Sequence, residues 1–320
     1  MESIFVRSCI GSGHVSACKR MQYLTATIYY INSRLIRVHR ILANASLNHR
    51  LVVRVVGRGH MQNQGYDPSS FWDNRARVLG DLGDSYSNRV YHNYEDRIRW
   101  LKSVSLLGEL SGQKIFDVGC GTGRWSIRLA AMGSTVIGLD ISSEMIGRAV
   151  ERARLANIVN ARFINGRIDD VGLVDDLGFR EEFNLVLSIT VLQHIVRDEL
   201  LEVAVRNIER CLTSGGRALV VECASDTTRD YHGRDMGIEH MRVRSRRDWT
   251  EIFRRNGLEL MKLSGVSFLG RRFMPIASKF GRVPFYKKVE KLVERVDTNE
   301  SVFQLLQSHY QPKMFLFMKG

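Results

Sequence analysis

Phe116-Asp-Val-Gly-Cys-Gly-Thr-Gly123 is the stretch on which the fold turns. Glycines at 119, 121 and 123 let the chain turn tightly and bring backbone N–H groups close to a ligand. The dinucleotide fingerprint G-x-G-x-x-G would need a glycine at 124, where this chain has Arg124. The spacing is instead D-x-G-x-G-x-G, with Asp117 two residues ahead of the first glycine. A second acid, Asp140, closes the next apolar run, where a carboxylate can accept hydrogen bonds from two ribose hydroxyls. Asp117 suits an ammonium or a sulfonium better than a pyrophosphate. The two acids together point to an adenosine ligand with a cationic amino-acid tail.

Strand and helix patterns alternate on either side. Short apolar strands are expected at Lys114–Val118, Ser134–Leu139, Ala161–Ile164, Phe183–Leu187 and, after the Gly215-Gly216 turn, Arg217–Val221. Helices are expected from about Ser85 to Leu107, over Arg124–Met132, after a Ser142 cap, and over Asp198–Leu212. This β-α-β-α order predicts a Rossmann-like, doubly wound α/β sheet with helices on both faces and its ligand at the carboxyl ends of the strands.

The 320 residues are 44% hydrophobic and 25% charged, the profile of an ordinary globular chain. No run of about 18 apolar residues occurs, so no spanning helix is expected. The five cysteines show neither C-x-x-C pairs nor regular spacing, which argues against a disulfide framework or a structural zinc and for a reducing, cytoplasmic setting. No metal site is expected. The formal net charge is +13, but residues 1–60 hold nine basic residues against the single acid Glu2, so +8 of the excess sits there. With only +5 on the other 260 residues, the overall charge is a poor argument for a nucleic-acid partner. Residues 1–60 read as a disordered basic leader, or as sequence ahead of a true start at Met61, and are expected to contribute little to the core. A transit peptide and a basic amphipathic helix over residues 24–42 are the other readings.

At this point four motifs, in order, resemble the class I S-adenosylmethionine-dependent methyltransferases. They are Phe116–Gly123, the acidic turn Val136–Ser142, the fourth-strand stretch Phe183–His194, and the turn Leu212–Leu219 into the fifth strand. The resemblance implies a seven-stranded, mostly parallel sheet with an antiparallel last strand near Met314–Met318. It implies S-adenosylmethionine as cofactor, held by Asp117, Gly119, Cys120, Gly121, Gly123, Asp140, Ile141, Ile168, Asp169 and Thr190. The family often places Gly-Asp after the third strand to read the adenine amino group. Here the stretch is Asn165-Gly-Arg-Ile-Asp169, so Asp169 is expected to take over that contact while Ile168 covers the ring. Cys120 is equally read as a small packed side chain. His194, just after the fourth strand, is the candidate general base, and equally a packed, hydrogen-bonded histidine.

The marks of several acceptor classes are missing. Ser188-Ile-Thr-Val191 stands where many DNA N-methyltransferases carry Asn/Asp-Pro-Pro-Tyr/Phe, no cysteine follows a proline, and residues 188–196 contain no acid. The expected reaction is methyl transfer to an O, N or C atom of a small-molecule, lipid, quinone-like or glycan acceptor, with no DNA partner. The alternatives are an RNA methyltransferase and a binding subunit that has lost catalysis. The expected organisation is a basic leader over 1–60, an N-terminal helical lid over 61–110 rich in aromatics (Tyr66, Phe71, Trp72, Tyr86, Tyr91, His92, Tyr94), a cofactor-binding core over 111–266, and a helical cap with the final strand over 267–320. The cap carries Arg271, Arg272, Lys279, Arg282, Lys287, Lys288 and Lys291, read either as a gate for an anionic acceptor or as a solvated basic face.

Overall fold

The computed structural model describes residues 67–80, 89–231, 241–277, 285–307 and 311–320, all within the unit Gly65–Gly320. The expected leader over 1–60 lies outside the described residues, as do Tyr66, Tyr86, Lys279, Arg282 and the expected helix start at Ser85.

In chain order the elements are α1 (Pro68–Leu79), α2 (Arg89–Leu107), β1 (Lys114–Val118), α3 (Arg124–Ala131), β2 (Thr135–Asp140), α4 (Ser143–Leu155), β3 (Ala161–Asn165), α5 (Leu173–Asp176) and β4 (Phe183–Ile189). A 3-10 turn (Leu192–His194) leads to α6 (Asp198–Cys211) and β5 (Leu212–Glu222). Then come β6 (Ala224–Ser225), β7 (Arg229–Tyr231), β8 (Met241–Ser245), α7 (Arg246–Arg255), β9 (Leu258–Ser267), α8 (Leu269–Ala277), α9 (Phe285–Asp297), α10 (Glu300–Leu305) and β10 (Gln311–Lys319).

Seven strands form one sheet in the order β3-β2-β1-β4-β5-β10-β9. β1 through β5 pair in parallel, and β10 runs antiparallel to both β5 and β9. Phe315 pairs with Val220 inside this sheet, as expected of the last strand. β6, β8 and β7 form a separate small sheet that the sequence pattern did not suggest.

The strands alternate because both faces are covered. Ile115, Leu185, Leu187, Leu219 and Val221 pack with α2 and α3, while Phe116, Val118, Val186, Ala218 and Val220 pack with α6 and α7. On the second face Phe116 stacks on Phe183, ring centres 5.0 Å apart, and Phe253 stacks on Phe317 at 4.2 Å.

Two latches place the helices that wall the strand ends. Asp73 on α1 accepts the Ser142 hydroxyl at 2.6 Å and the Glu144 N–H at 3.2 Å, and the Ser69 hydroxyl donates to the Ile141 carbonyl at 3.1 Å. These bonds tie α1 to the turn between β2 and α4. On the other side, fully buried Asp297 accepts the N–H groups of Phe268, Leu269 and Gly270, each at 2.9 Å, and the Tyr94 hydroxyl at 2.7 Å. Gly270 is required there, since a Cβ would lie 2.0 Å from the Tyr94 ring.

The helices after Ser267 therefore sit against α2. Met274 and Val293 are buried in the same cluster as Tyr94 and Ile98, and Arg97 pairs with Glu290 and Glu294 at 2.8 and 2.9 Å. α2 gives them an apolar and acid-matched surface, so they buttress that helix. Among the described residues, none after Ser267 lines the main cavity.

Asp297→Ala would leave three backbone N–H groups and a phenol without their acceptor. The expected loss is at least about 3 kcal/mol, read as a lowered midpoint in urea unfolding with an unchanged slope.

Candidate active site

A cavity of about 490 Å³ opens at the carboxyl ends of β1, β2 and β4, within the range of small-ligand sites. Its floor is the glycine turn. Gly119, Gly121 and Gly123 all have φ between +53° and +74°, the left-handed region that favours glycine. Gly119 is also needed for space, because a Cβ there would fall 2.2 Å from Val191 Cγ2. The Gly119 and Cys120 N–H groups donate to the Leu139 carbonyl at 2.7 and 3.0 Å, and the Gly121 N–H donates to Asp140 Oδ2 at 2.9 Å. The turn after β1 is thus fastened to the end of β2.

Asp140 lines the cavity, and its second oxygen accepts the Ser142 N–H at 2.9 Å. Each carboxylate oxygen can accept more than one hydrogen bond. The two bonds it accepts also make Asp140 part of the local framework, which pocket placement alone did not suggest.

Asp117 is 2% exposed, lines the cavity and accepts the Ser126 hydroxyl at 2.6 Å. Burial, with the Asp140 charge adding to it, pushes its carboxyl up to about 7. Cys120 is buried with its sulfur filling the space beside Gly138, where a Cβ would come within 2.8 Å of it.

Ile141, Met145, Gly166, Ile168 and Asp169 line the end of the cavity beside β2 and β3. Asn207 holds this loop by donating to the Ile168 and Asp170 carbonyls at 2.8 and 2.6 Å. Asp169 is gripped by Arg167 through bonds of 3.1 and 2.8 Å, so the two side chains face the cavity as an ion pair.

At the opposite end the post-β4 loop supplies Thr190, Val191, Gln193 and His194. Thr190 holds φ +59°, unusual for a β-branched residue. His194 meets Trp72 of α1 edge-on, ring centres 5.3 Å apart. All the residues predicted for the site (Asp117, Gly119, Cys120, Gly121, Asp140, Ile141, Ile168, Asp169, Thr190 and His194) line this one cavity except Gly123, which caps α3 behind it.

The sequence reading missed a polar wall on α2 and α3. Asp96 accepts the Trp125 indole N–H at 3.1 Å and pairs with Arg128 at 2.7 Å and Arg124 at 3.5 Å. Burial works to raise this carboxyl, but the two guanidiniums outweigh it and hold it below the usual range. His92 contacts Arg124; burial first, then that neighbouring charge, pushes its imidazole down to about 4, so it is neutral near pH 7. Arg99 pairs with Glu95 at 2.7 Å. Helical spacing over this segment drew attention to its apolar stripe and aromatics, and the polar face at 92, 96 and 99 has the same period. Among the described residues, no three His, Cys, Asp or Glu side chains are grouped to hold a metal, and no helix is long and apolar enough to cross a membrane.

A family model described as a methyltransferase domain matches residues 109–257. The chain is 35% identical over 112 residues to an uncharacterized methyltransferase of Synechocystis sp. (strain ATCC 27184 / PCC 6803 / Kazusa), covering 35% of this chain and 47% of that protein. It is 32% identical over 167 residues to the demethylmenaquinone methyltransferase of Staphylococcus aureus (strain MRSA252), covering 48% of this chain and 65% of that protein. The chain therefore spans roughly half to two thirds of the length of these curated relatives. In fold it resembles the [4+2]-cyclase SpnF, with a TM-score of 0.54 at 18% identity over 78% of this chain and 94% of that one. Sheet order and the glycine turn define a Rossmann-like α/β domain. Within that fold, residues 109–257 are the part similar to a methyltransferase domain.

Asp117 titrates in the folded chain well above the unfolded value of about 4. Its contribution to stability is present below pH ~4 and is lost as pH rises through about 7; buried Glu222, pushed up to about 8, acts with the same sign. Asp117→Asn cannot ionise but can still accept from Ser126. It is expected to melt above the unaltered protein near pH 8 and to show a flatter fall between about pH 5 and 8, measured by calorimetry.

Proposed function

We propose that this chain binds S-adenosylmethionine in the β1–β2–β4 cavity and transfers its methyl group to a small, planar, quinone-like or phenolic acceptor. The observation that carries the reading is the paired placement of Asp117 and Asp140 on either side of the glycine turn, both facing one cavity. Asp140 would take the ribose hydroxyls, Asp117 the amino-acid ammonium, and Ile141, Met145 and Ile168 the adenine faces. Arg124, at the start of α3, lies where it can meet the carboxylate of the same tail. The cofactor supplies, when bound, a methyl group on a cationic sulfonium open to in-line displacement.

What the protein itself must provide is then alignment and exclusion of water. Trp72 and His194 form an aromatic edge against which a flat acceptor can lie, and His194 is placed to take a proton from an acceptor hydroxyl. The demethylmenaquinone methyltransferase likeness supports an acceptor of quinone type. The irregular cysteine spacing supports a reducing, cytoplasmic setting. The likeness to a cyclase is the reason to keep a non-transferring reading in view, since the fold alone hosts other chemistry.

In Asp140→Asn one accepting oxygen becomes a donor. S-adenosylhomocysteine affinity is expected to fall about ten- to hundred-fold, because a charge-assisted hydrogen bond is worth about 1.5–3 kcal/mol. Melting should drop modestly as well, since Gly121 and Ser142 both donate to this carboxylate. Unchanged affinity in titration calorimetry would remove Asp140 from the cofactor site.

The acceptor class is read by incubating the protein and labelled S-adenosylmethionine with cell extract divided into organic-extractable, polar small-molecule and RNA pools. Label is expected in the organic-extractable small molecules, reduced about 10²-fold or more by His194→Gln with S-adenosylhomocysteine affinity retained. Label in RNA would favour the RNA methyltransferase reading instead.

A further inference from the structure

The loop from Thr190 to Arg197, at one end of the cavity, is held by two buried side chains, a carboxyl and a guanidinium, that do not line that cavity. Glu222, at the end of β5, is fully buried. Its Oε1 accepts the N–H groups of Val191 at 3.0 Å and Leu192 at 2.8 Å, and its Oε2 accepts that of Gln193 at 3.3 Å. Arg244, on β8, is 3% exposed. Its Nη2 donates to the carbonyls of Ile195 and Val196 at 3.0 and 3.3 Å and to Asp198 Oδ1 at 2.8 Å, and the guanidinium lies 5.4 Å over the Trp249 ring.

The carboxylate takes the N–H groups that open the 3-10 turn, and the guanidinium takes the carbonyls that close it. The chain path supplies both groups from one place, because Ala224, two residues after Glu222, pairs with Arg244 between β6 and β8. Gln193 adds a third tie, its side-chain oxygen accepting the Cys223 N–H at 2.9 Å.

We infer that Glu222 and Arg244 are positioning residues that together set the Thr190–Arg197 loop, and through it the cofactor floor and the acceptor edge. The inference rests on the methyltransferase reading above. Two further observations support it. Val191 is wedged over Gly119 with no room for a Cβ, so a small shift of this loop reaches the glycine turn directly. Thr190 sits at φ +59°, a conformation that persists in a β-branched residue only when its surroundings enforce it. A buried carboxylate is also a costly way to hold a loop where position is unimportant, since burial works against its charge. The small sheet β6-β8-β7 thereby acquires a role, since it carries the guanidinium to the loop.

Full-length chain is used throughout, with Glu222→Gln and Arg244→Met, singly and together, and Glu222→Asp and Arg244→Lys as charge-keeping controls. Three quantities are read: S-adenosylhomocysteine affinity by titration calorimetry, amide hydrogen exchange at residues 190–198, and the melting temperature. In Glu222→Gln an NH2 group faces backbone N–H donors. Exchange at 191–193 is expected to quicken while β1 and β2 stay protected, and affinity to fall about ten-fold, the equivalent of about one lost hydrogen bond to the ligand. Both side chains hold one loop, so the double variant should lose little more than the worse single one. The charge-keeping controls should recover part of the affinity.

Affinity within about two-fold of the unaltered protein, a free-energy change below about 0.5 kcal/mol, would overturn the inference even if melting falls, as would unchanged exchange at 191–193. If Glu222→Gln does not fold, Glu222→Asp, whose shorter carboxylate cannot reach all three N–H groups at once, carries the same measurements. If the unaltered protein binds no S-adenosylhomocysteine, the methyltransferase reading fails on its own, and the exchange pattern still decides whether the two side chains set the loop.

Discussion

The hydrogen bond from the Gly121 N–H to Asp140 Oδ2, 2.9 Å long, joins the turn after β1 to the end of β2, and the cavity is built outward from it. The other Asp140 oxygen accepts the Ser142 N–H, and Ser142 caps α4 by accepting the Met145 N–H at 3.1 Å. The Ser142 hydroxyl in turn donates to Asp73 and so fixes α1, which brings Trp72 to the cavity. One carboxylate therefore orders the glycine turn, the start of a helix and, at one remove, the aromatic edge at the far side. Its charge suits this position because each of its oxygens meets a backbone N–H donor.

The remaining acids near the cavity show what partners do to a buried carboxyl. Asp96 is buried yet held below the usual range because two arginines face it. Asp117 has a hydroxyl and another acid for neighbours and is pushed up to about 7. Glu222 meets three backbone N–H groups, which do not offset its complete burial, and is pushed up to about 8. The contrast separates a wall neutralised by its own cations from a carboxyl whose natural counter-charge would be a ligand. Asp117 faces the cavity, whereas Glu222 accepts from the loop backbone with the Arg244 guanidinium acting on it.

Much of this was legible because its causes are local. Apolar runs of strand length with glycine or serine breaks located β1 to β5, and the spacing of Asp117, Gly119, Gly121 and Asp140 located the cavity floor. The resemblance supplied the last strand, since periodicity says nothing about direction. The other features arise from contacts distant in sequence. Whether α8 and α9 cover the cavity or brace α2 depends on Asp297 reaching Tyr94 across the fold. A run of basic residues reads the same on a gate as on a solvated face. The polar wall of Asp96, Arg99 and Arg124 is formed by facing helices, and no single helical pattern reveals its partner. The burial of Glu222 beneath the Val191–Gln193 backbone follows from a strand register set elsewhere.

In the proposed reading Asp117, about half neutralised near pH 7 by its burial, meets a cationic group of the ligand. The most direct measurement is the affinity for S-adenosylhomocysteine as a function of pH, by titration calorimetry from about pH 5.5 to 8.5. The ammonium of the ligand requires the ionised carboxylate, so affinity is predicted to rise through about 7 and to fall toward ten-fold per unit at lower pH. The same slope should vanish in Asp117→Asn. An affinity flat across this range in the unaltered protein, or a slope that survives Asp117→Asn, would contradict the account.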